Sequence, residues 1–391
     1  MTLPPQFFAN KPLDLLFREG VEAEMCNRFK LGRTLEEVST SGCEGLLSEL
    51  ALAVCRQEGM DGRFHHLDTT SFSLSGDDVP EPGVEAMHLT HGSSKDHRPD
   101  WKQAIFALMV SQDGGVPFVS TSWDGHTSDT QIFQERAQAL ITTLKHAPTP
   151  RYLVADSQLY DKDHAANLKA FGFITRLPRT LKLVKQVICQ ALTWDQWRSW
   201  DATTRSQSVE FCHSGMAQRW LVVYADAALA RAEATVTKAQ QRESEAIATQ
   251  LLHWQARRFE TPDKAPAALA ALAQRWRSHQ RETSTLIDHN HSASQGRPTA
   301  KTPIQSIAWQ MRAQGRPAVE HIASAKRYHA CFVLGTNISP LELSHLDVIT
   351  GDKGQAQGEG GFRCLKDPLC FVSSLFVKKP WRMQGLLMVM T

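Results

Sequence analysis

Two aspartates that stand in or beside apolar runs are the residues of this chain best placed to do chemistry. Asp68 lies inside the run 64–72, and Asp156 ends the run 151–156. If both runs are strands and lie next to each other, the two carboxylates can share one divalent cation, because hard oxygen ligands suit Mg²⁺ or Mn²⁺. A third acid from a late helix would complete a two-metal clamp for phosphoryl transfer. A strand-end aspartate also commonly serves as a turn or cap residue, so the pair alone leaves both interpretations open.

The elements that must position these acids alternate along the chain. In order, we predict a strand (64–72), the two strands of a hairpin (103–111 and 116–122), a helix (127–145), a strand (151–156), a helix (163–170) and a strand (173–177). Helices between the later strands imply parallel pairs, because parallel strands need crossover connections. The sequence therefore predicts an α/β fold with a mixed sheet flanked by helices.

The regions on either side of this alternation have a different pattern. Residues 1–60 carry apolar residues at helical spacing, and 209–224 predicts a second β-hairpin. A long helix over 225–259 and a further helix after Pro262 predict an αα-hairpin, and the polar stretch 288–304 predicts a loop.

The last part of the chain returns to the core pattern. A strand is expected over 328–334, and Ser339 with Glu342 predicts a capping box at the start of a helix. We therefore predict four parts, namely an N-terminal helical segment (1–60), the first part of the core (61–180), an insertion made of a β-hairpin plus an αα-hairpin (181–327) and the C-terminal part of the core (328–391).

The composition narrows the class of protein. The chain has 391 residues, 42 % of them apolar and 21 % charged, which excludes disordered and rod-like proteins. No apolar run is long enough to span a membrane, and the N-terminus lacks the pattern of a secretory signal. Eight cysteines without a C-x-x-C pair are typical of reduced thiols, so we expect a cytoplasmic protein.

The charge is unevenly distributed although the formal net charge is only +2. Residues 1–100 contain 17 acidic and 9 basic residues, whereas 301–391 contain 6 acidic and 11 basic ones. An acidic, metal-binding front and a mildly basic remainder are compatible with a polyanionic partner.

Several sequence blocks, in this order, resemble landmarks of bacterial insertion-sequence DDE transposases. The blocks are HLDTTSF (66–72), HGSSKDHRPDWKQ (91–103), DGHTSD (124–129), VADSQLYDKDHAANLKAFGFITRLP (154–178), FVLGTN (332–337) and GEGGFRCLKDP (358–368). The resemblance implies an RNase H-like core with a long insertion before the last catalytic acid. It also implies metal-dependent cleavage and strand transfer at the ends of an insertion sequence.

The resemblance assigns roles to individual residues. Asp68, Asp156 and Glu359 match the three acids that are both catalytic and metal-binding, with Mg²⁺ or Mn²⁺, two ions in all, as the cofactor. Lys366, seven residues after Glu359, matches the lysine that contacts DNA. The implied partners are the terminal inverted repeats of the element and the target DNA, held by a homodimer in a synaptic complex, with no membrane partner.

The block 91–103 contains two further candidate DNA-binding residues, Lys95 and Arg98. Their cationic side chains suit contact with phosphates. The same residues are equally well explained as part of a polar turn that leads into the hairpin.

The chain departs from the family signature around the last acid. A Tyr seven residues before the glutamate and an Arg four residues before it are replaced by Asp352 and Gln355, and glycines stand at 354, 358, 360 and 361. Each glycine costs a helix interior about 0.8–1 kcal/mol relative to alanine. We therefore expect the helix that carries Glu359 to be frayed.

The chain ends on the apolar run 386–391 without a helix stop signal. Because members of the family continue beyond this point, we expect a truncated copy. This expectation keeps two alternatives open, a catalytically inactive DNA-binding remnant of a transposase and a structural α/β protein whose acids bind nothing.

Overall fold

The computed structural model describes two compact units within the chain. The described residues are 3–74, 87–91, 100–128, 131–132, 135, 152–160, 169, 171–213, 215–292, 304–367 and 379–391. The first unit comprises Met1–Val184, Ser208–Leu221 and Leu334–Thr391, and the second comprises Lys185–Gln207 and Val222–Val333. The predicted helices over 127–145 and 163–170 fall largely outside the described residues.

Helices and strands are numbered here in chain order. The helices are α1 (Leu3–Phe8), α2 (Leu13–Leu16), α3 (Arg28–Thr40), α4 (Cys43–Glu58), α5 (Lys182–Trp194), α6 (Asp226–Gln255), α7 (Lys264–Ala273), α8 (Val319–His329), α9 (His345–Gly354), α10 (Ala356–Leu365) and α11 (Pro380–Met390). The strands are β1 (Phe64–Leu74), β2 (Lys102–Ser111), β3 (Pro117–Asp124), β4 (Tyr152–Ala155), β5 (Gly172–Arg176), β6 (Arg198–Ser199), β7 (Thr204–His213), β8 (Met216–Ala225), β9 (His279–Ser292), β10 (Ile304–Pro317) and β11 (Cys331–Thr336). No helix among the described residues combines the length and the apolar character that a membrane crossing needs.

A large mixed sheet flanked by helices confirms the predicted α/β class. Its strand order begins β3-β2-β1-β4-β5-β11. β1 pairs antiparallel with β2 and parallel with β4, β4 pairs parallel with β5, and β5 pairs antiparallel with β11. The hairpin β2–β3 turns at Gly114 and Gly115, whose φ angles of 72° and 62° lie in the left-handed region that glycine adopts without strain.

One face of this sheet carries the main core of the first unit. Apolar side chains of β1 and β2 pack there against α10 and α11, in a cluster that contains Phe72, Ala104, Phe106, Leu108, Val110, Phe362, Leu365, Met383 and Leu387. Alternate residues of a strand point to the same face, so the even-numbered residues of β1 face these helices. Asp68 belongs to that set.

The second unit contains an αα-hairpin, as predicted, and a long two-stranded ribbon that was not predicted. Ile247, Leu251 and Trp254 of α6 pack with Leu269 of α7 and with Met311 of β10. The prediction of a loop over 288–304 is wrong for Asp288–Ser292, which belong to β9. β9 is mostly polar, so it lacks the apolar pattern by which a strand is recognised in a sequence.

The predicted hairpin over 209–224 is present as β7 and β8. One further expectation needs correction. The capping box is formed by Ser344 and Asp347 at the start of α9, not by Ser339. The Ser339 hydroxyl instead accepts the Leu341 N–H, which closes a local turn.

Candidate active site

Three charged residues stand side by side on three parallel strands, where β4 and β5 end beside the middle of β1. In the ladder, Leu67 of β1 pairs with Ala155 of β4, and Ala155 pairs with Thr175 of β5. The residues that follow these three are Asp68, Asp156 and Arg176. Residues in register on neighbouring strands point to the same face. The two predicted catalytic aspartates are therefore neighbours, next to an arginine.

Local hydrogen bonds orient both aspartates. The Asp68 Oδ1 accepts the N–H of Thr69 at 2.8 Å. Asp156 caps the 3₁₀ turn Ser157–Leu159, since its Oδ1 accepts the N–H of Gln158 at 2.9 Å. The Asp156 carbonyl also accepts the Thr175 hydroxyl at 2.6 Å. Both aspartates are half-buried, and Asp156 thus has the capping role that the sequence left open.

A glycine face on α9 and α10 allows these helices to lie close to the sheet. The glycines at 351, 354, 358 and 361 are spaced by three, four and three residues, which places them on one side of a helix. A Cβ built on Gly351 would lie 3.0 Å from Ile174 Cδ1, and one on Gly354 would lie 2.8 Å from His66 Nε2. A Cβ on Gly358 would lie 4.0 Å from the Cβ of Asp68. The helix therefore crosses the sheet directly over the row of charges.

The expectation of a frayed helix around Glu359 is wrong. α10 is formed over Ala356–Leu365, with Glu359 exposed in its first turn. In α9, Gly351 and Gly354 permit close packing that compensates for their low helix propensity, because larger residues there would meet the sheet.

Asp352 and Arg176 form a bidentate ion pair beside the two aspartates. Arg176 Nε donates to Asp352 Oδ1 at 2.9 Å and Arg176 Nη2 donates to Asp352 Oδ2 at 2.8 Å. The Asp352 side chain is 3 % exposed, whereas that of Arg176 is 50 % exposed. The hydrogen bond to Asp352 raises the pKa of Arg176 against the effect of burial, and the charges of Asp352 and Glu359 act in the same direction.

His66 lies beneath the same helix. Its side chain is buried, its Nε2 is 3.3 Å from Gln112 Oε1, and burial lowers its pKa against the smaller effects of Gln112 and Asp352. A neutral imidazole here fits the close approach of Gly354.

The predicted DNA-binding residues are only partly described. Lys366 follows α10 directly, and its N–H donates to the Phe362 carbonyl at 2.9 Å, so the helical path from Glu359 to Lys366 is continuous. The Lys366 ammonium lies 5.8 Å from the centre of the Phe72 ring. Lys95 and Arg98 lie outside the described residues.

The donor chemistry of the three acids suits a hard divalent cation, because all three are carboxylates and two of them come from adjacent strands. Within the described ranges, no three His, Cys, Asp or Glu side chains stand close enough together to form a metal-binding group. The structure therefore makes Asp68 and Asp156 neighbours, with a donor chemistry that suits Mg²⁺ or Mn²⁺, but it does not bring the exposed Glu359 into one metal-binding group with them.

Sequence reasoning missed Arg176 and the role of Asp352. Arg176 ends an apolar strand just as Asp156 does, which is the signal that could have drawn attention to it. In the sequence, Asp352 is only a departure from the transposase signature. Its partner Arg176 lies far away along the chain, so no local pattern indicates the ion pair.

Comparisons with known proteins give partial matches. A family described as "Domain of unknown function (DUF4277)" matches residues 1–52. No curated protein matches the chain. The structure is similar in part to "Mos1 transposase paired-end complex with left transposon end", with 15 % identity, a TM-score of 0.16 and coverage of 35 % of this chain and 38 % of that chain. For "Crystal structure of the Mos1 mariner paired end complex with Mn" the identity is 16 %, with the same TM-score and coverage.

Proposed function

We propose that this chain is an RNase H-like DDE transposase that uses divalent cations to cleave DNA strands and join them at the ends of an insertion sequence. The observation that supports the proposal most is the strand register. It brings Asp68 next to Asp156, although they are far apart in sequence, and Gly358, the residue before Glu359, lies near Asp68. We expect a cytoplasmic homodimer that holds two terminal inverted repeats.

In the mechanism that follows, the carboxylates position divalent cations, and the cations stabilise the charge that develops at phosphorus. Asp68, Asp156 and Glu359 would hold Mg²⁺ or Mn²⁺, and these ions would supply the positive charge that an in-line displacement at phosphorus requires. The three carboxylates act as ligands and not as a general acid and base. Lys366, at the C-terminal end of α10, binds a DNA phosphate as a point charge. Lys95 and Arg98 are proposed as further phosphate contacts.

The proposal is tested with double-stranded DNA that carries the inverted repeats flanking the gene. The wild-type chain should cleave it with Mg²⁺ or Mn²⁺ but not with a chelator present. Asp68→Asn, Asp156→Asn and Glu359→Gln should each reduce cleavage to background. Asp61→Asn is the matched control, because Asp61 is a partly exposed carboxylate paired with Arg63, and it should cleave as the wild type does.

Three results would contradict the proposal. Cleavage that survives Asp68→Asn or Asp156→Asn would exclude these residues as ligands. Metal-independent DNA binding without cleavage would favour an inactive DNA-binding remnant, and the absence of DNA binding even at low salt would favour a structural protein.

A further inference from the structure

The ion pair between Arg176 and Asp352 joins the sheet and the helix that carries Glu359. On the sheet, Arg176 stands next to Asp156 in the row of charged residues. On the helix, Asp352 precedes Glu359 by seven residues, which is two helical turns. A fork of two parallel hydrogen bonds fixes both distance and orientation, which a single bond does not.

The backbone connects Asp352 to Glu359 in two steps. The Gln355 N–H donates to the Asp352 carbonyl at 3.2 Å, and the Glu359 N–H donates to the Gln355 carbonyl at 3.4 Å. This path crosses the junction between α9 and α10 at Gln355. A shift of Asp352 is therefore transmitted to the first turn of α10, where Glu359 lies.

The glycine face alone does not fix the helix. Close contacts at Gly351 and Gly354 limit how near the helix can come to the sheet. Phe362 and Leu365 hold the C-terminal half of α10 in the core of the first unit. The bidentate pair adds a contact of defined direction on the N-terminal side of Glu359, and the buried end of the pair is the carboxylate on the helix.

We propose that Arg176 and Asp352 are positioning residues, which hold α9 and α10 so that the carboxylate of Glu359 is presented to Asp68 and Asp156. The inference rests on the function proposed above.

The test is a double-mutant cycle in which Mn²⁺ binding to the full chain is measured by electron paramagnetic resonance. Asp352→Asn and Glu359→Gln should each weaken Mn²⁺ binding, Asp352→Asn by about tenfold, as expected for a residue that orients a ligand. If Asp352 acts through Glu359, the double variant should bind no more than about twofold more weakly than Glu359→Gln alone.

The matched control is Glu36→Gln. Glu36 of α3 accepts a hydrogen bond from Arg382 of α11 and also anchors one helix to another by an arginine–carboxylate pair, with an Nη2–Oε1 distance of 2.8 Å. It should leave Mn²⁺ binding unchanged. If Asp352→Asn does not fold, as judged by circular dichroism, Arg176→Lys replaces it in the cycle, since lysine keeps the charge but loses the fork.

The outcomes separate this inference from the function on which it rests. Wild-type Mn²⁺ binding that Asp352→Asn leaves unchanged, or losses that add fully in the double variant, would overturn the positioning role alone. A wild-type chain that neither binds Mn²⁺ nor cleaves DNA would overturn the proposed function, and the inference with it.

Discussion

Each of the two units contains a buried or half-buried carboxylate that anchors a helix, and the two carboxylates are held in different ways. In the first unit, Asp352 is bound by the fork of a single side chain, Arg176. In the second unit, Glu243 of α6 accepts the N–H groups of Arg277 and Ser278, both at 2.7 Å. The Ser278 hydroxyl and the His279 ring also contact the Glu243 carboxylate.

The difference shows which anchor depends on one residue. Two backbone N–H groups bind Glu243 whatever the local side chains are, so that contact is built into the path of the chain. The Asp352 carboxylate is instead balanced by one side chain, that of Arg176, which is half exposed and which a single substitution removes. An arginine–carboxylate anchor of this kind is suited to a site where charge has to be balanced.

The largest expected effect is that of Arg176→Gln. It leaves the Asp352 carboxylate buried without its cation, which typically costs about 3–5 kcal/mol. Urea denaturation, with hydrogen exchange in β5 and α9 as the local readout, measures the loss of stability. A loss below about 1 kcal/mol at pH 7 would mean that the pair behaves as a surface ion pair.

The next effect is the pH dependence of the second unit. Burial alone would raise the pKa of Glu243, but the hydrogen bonds from His279, Ser278 and the Arg277 N–H outweigh it and lower the pKa from 4.5 to about 2. A lowered carboxyl pKa stabilises the folded state above the unfolded pKa. That stability, roughly 2–3 kcal/mol, is lost as the pH falls through 4.5 towards 2.

Glu243→Gln should therefore remove this pH dependence, as measured by urea denaturation at pH 7, 5 and 3 with hydrogen exchange in β9 as the readout. Glu260→Gln is the control, because Glu260 is 89 % exposed in its pair with Lys264 and should leave the profile as in the wild type. A Glu243→Gln profile that matches the wild type would show that the bonds to Glu243 contribute no net stability.

Gly354→Ala tests the close approach of helix and sheet in the first unit. The new Cβ would lie 2.8 Å from His66 Nε2 and 2.9 Å from Gln112 Oε1. Overpacking of this kind costs about 1–3 kcal/mol in thermal or urea unfolding. Gly358→Ala is the comparison, since its Cβ meets nothing nearer than 4.0 Å. Equal effects of the two substitutions would contradict the packing role of Gly354.

Gly360→Ala should have the smallest effect and the opposite sign. Nothing lies within 4 Å of a Cβ at this position of α10. The substitution should stabilise the helix by about 0.5–1 kcal/mol, because glycine loses more backbone entropy than alanine on folding. A decrease in melting temperature would show that Gly360 has a role that the packing does not reveal.

The sequence predicts the local elements better than the contacts between them. The strands that carry Asp68 and Asp156 follow from their apolar runs and turn residues, which are local signals. The register that makes the two aspartates neighbours depends on a parallel pairing between distant segments, which no local pattern encodes. The family resemblance assigned the acids their roles without giving that geometry.

The same limit explains the errors. Glycine at 354 lowers helix propensity, and only the sheet beneath shows that it also permits close packing. The ribbon β9–β10 was missed because residues such as Asp288 and His289 are polar, and the packing of Met311 and Ala313 with α6 and α7 is a tertiary contact. Tertiary contacts decide both cases.

The most direct test of the central claim is anomalous diffraction at the manganese edge from crystals of the wild-type chain grown with Mn²⁺. The account predicts an anomalous peak shared by the carboxylates of Asp68 and Asp156, with Glu359 as a further ligand, and no peak there in Asp156→Asn crystals. Manganese bound only elsewhere, or its absence from these carboxylates at saturating Mn²⁺, would contradict it.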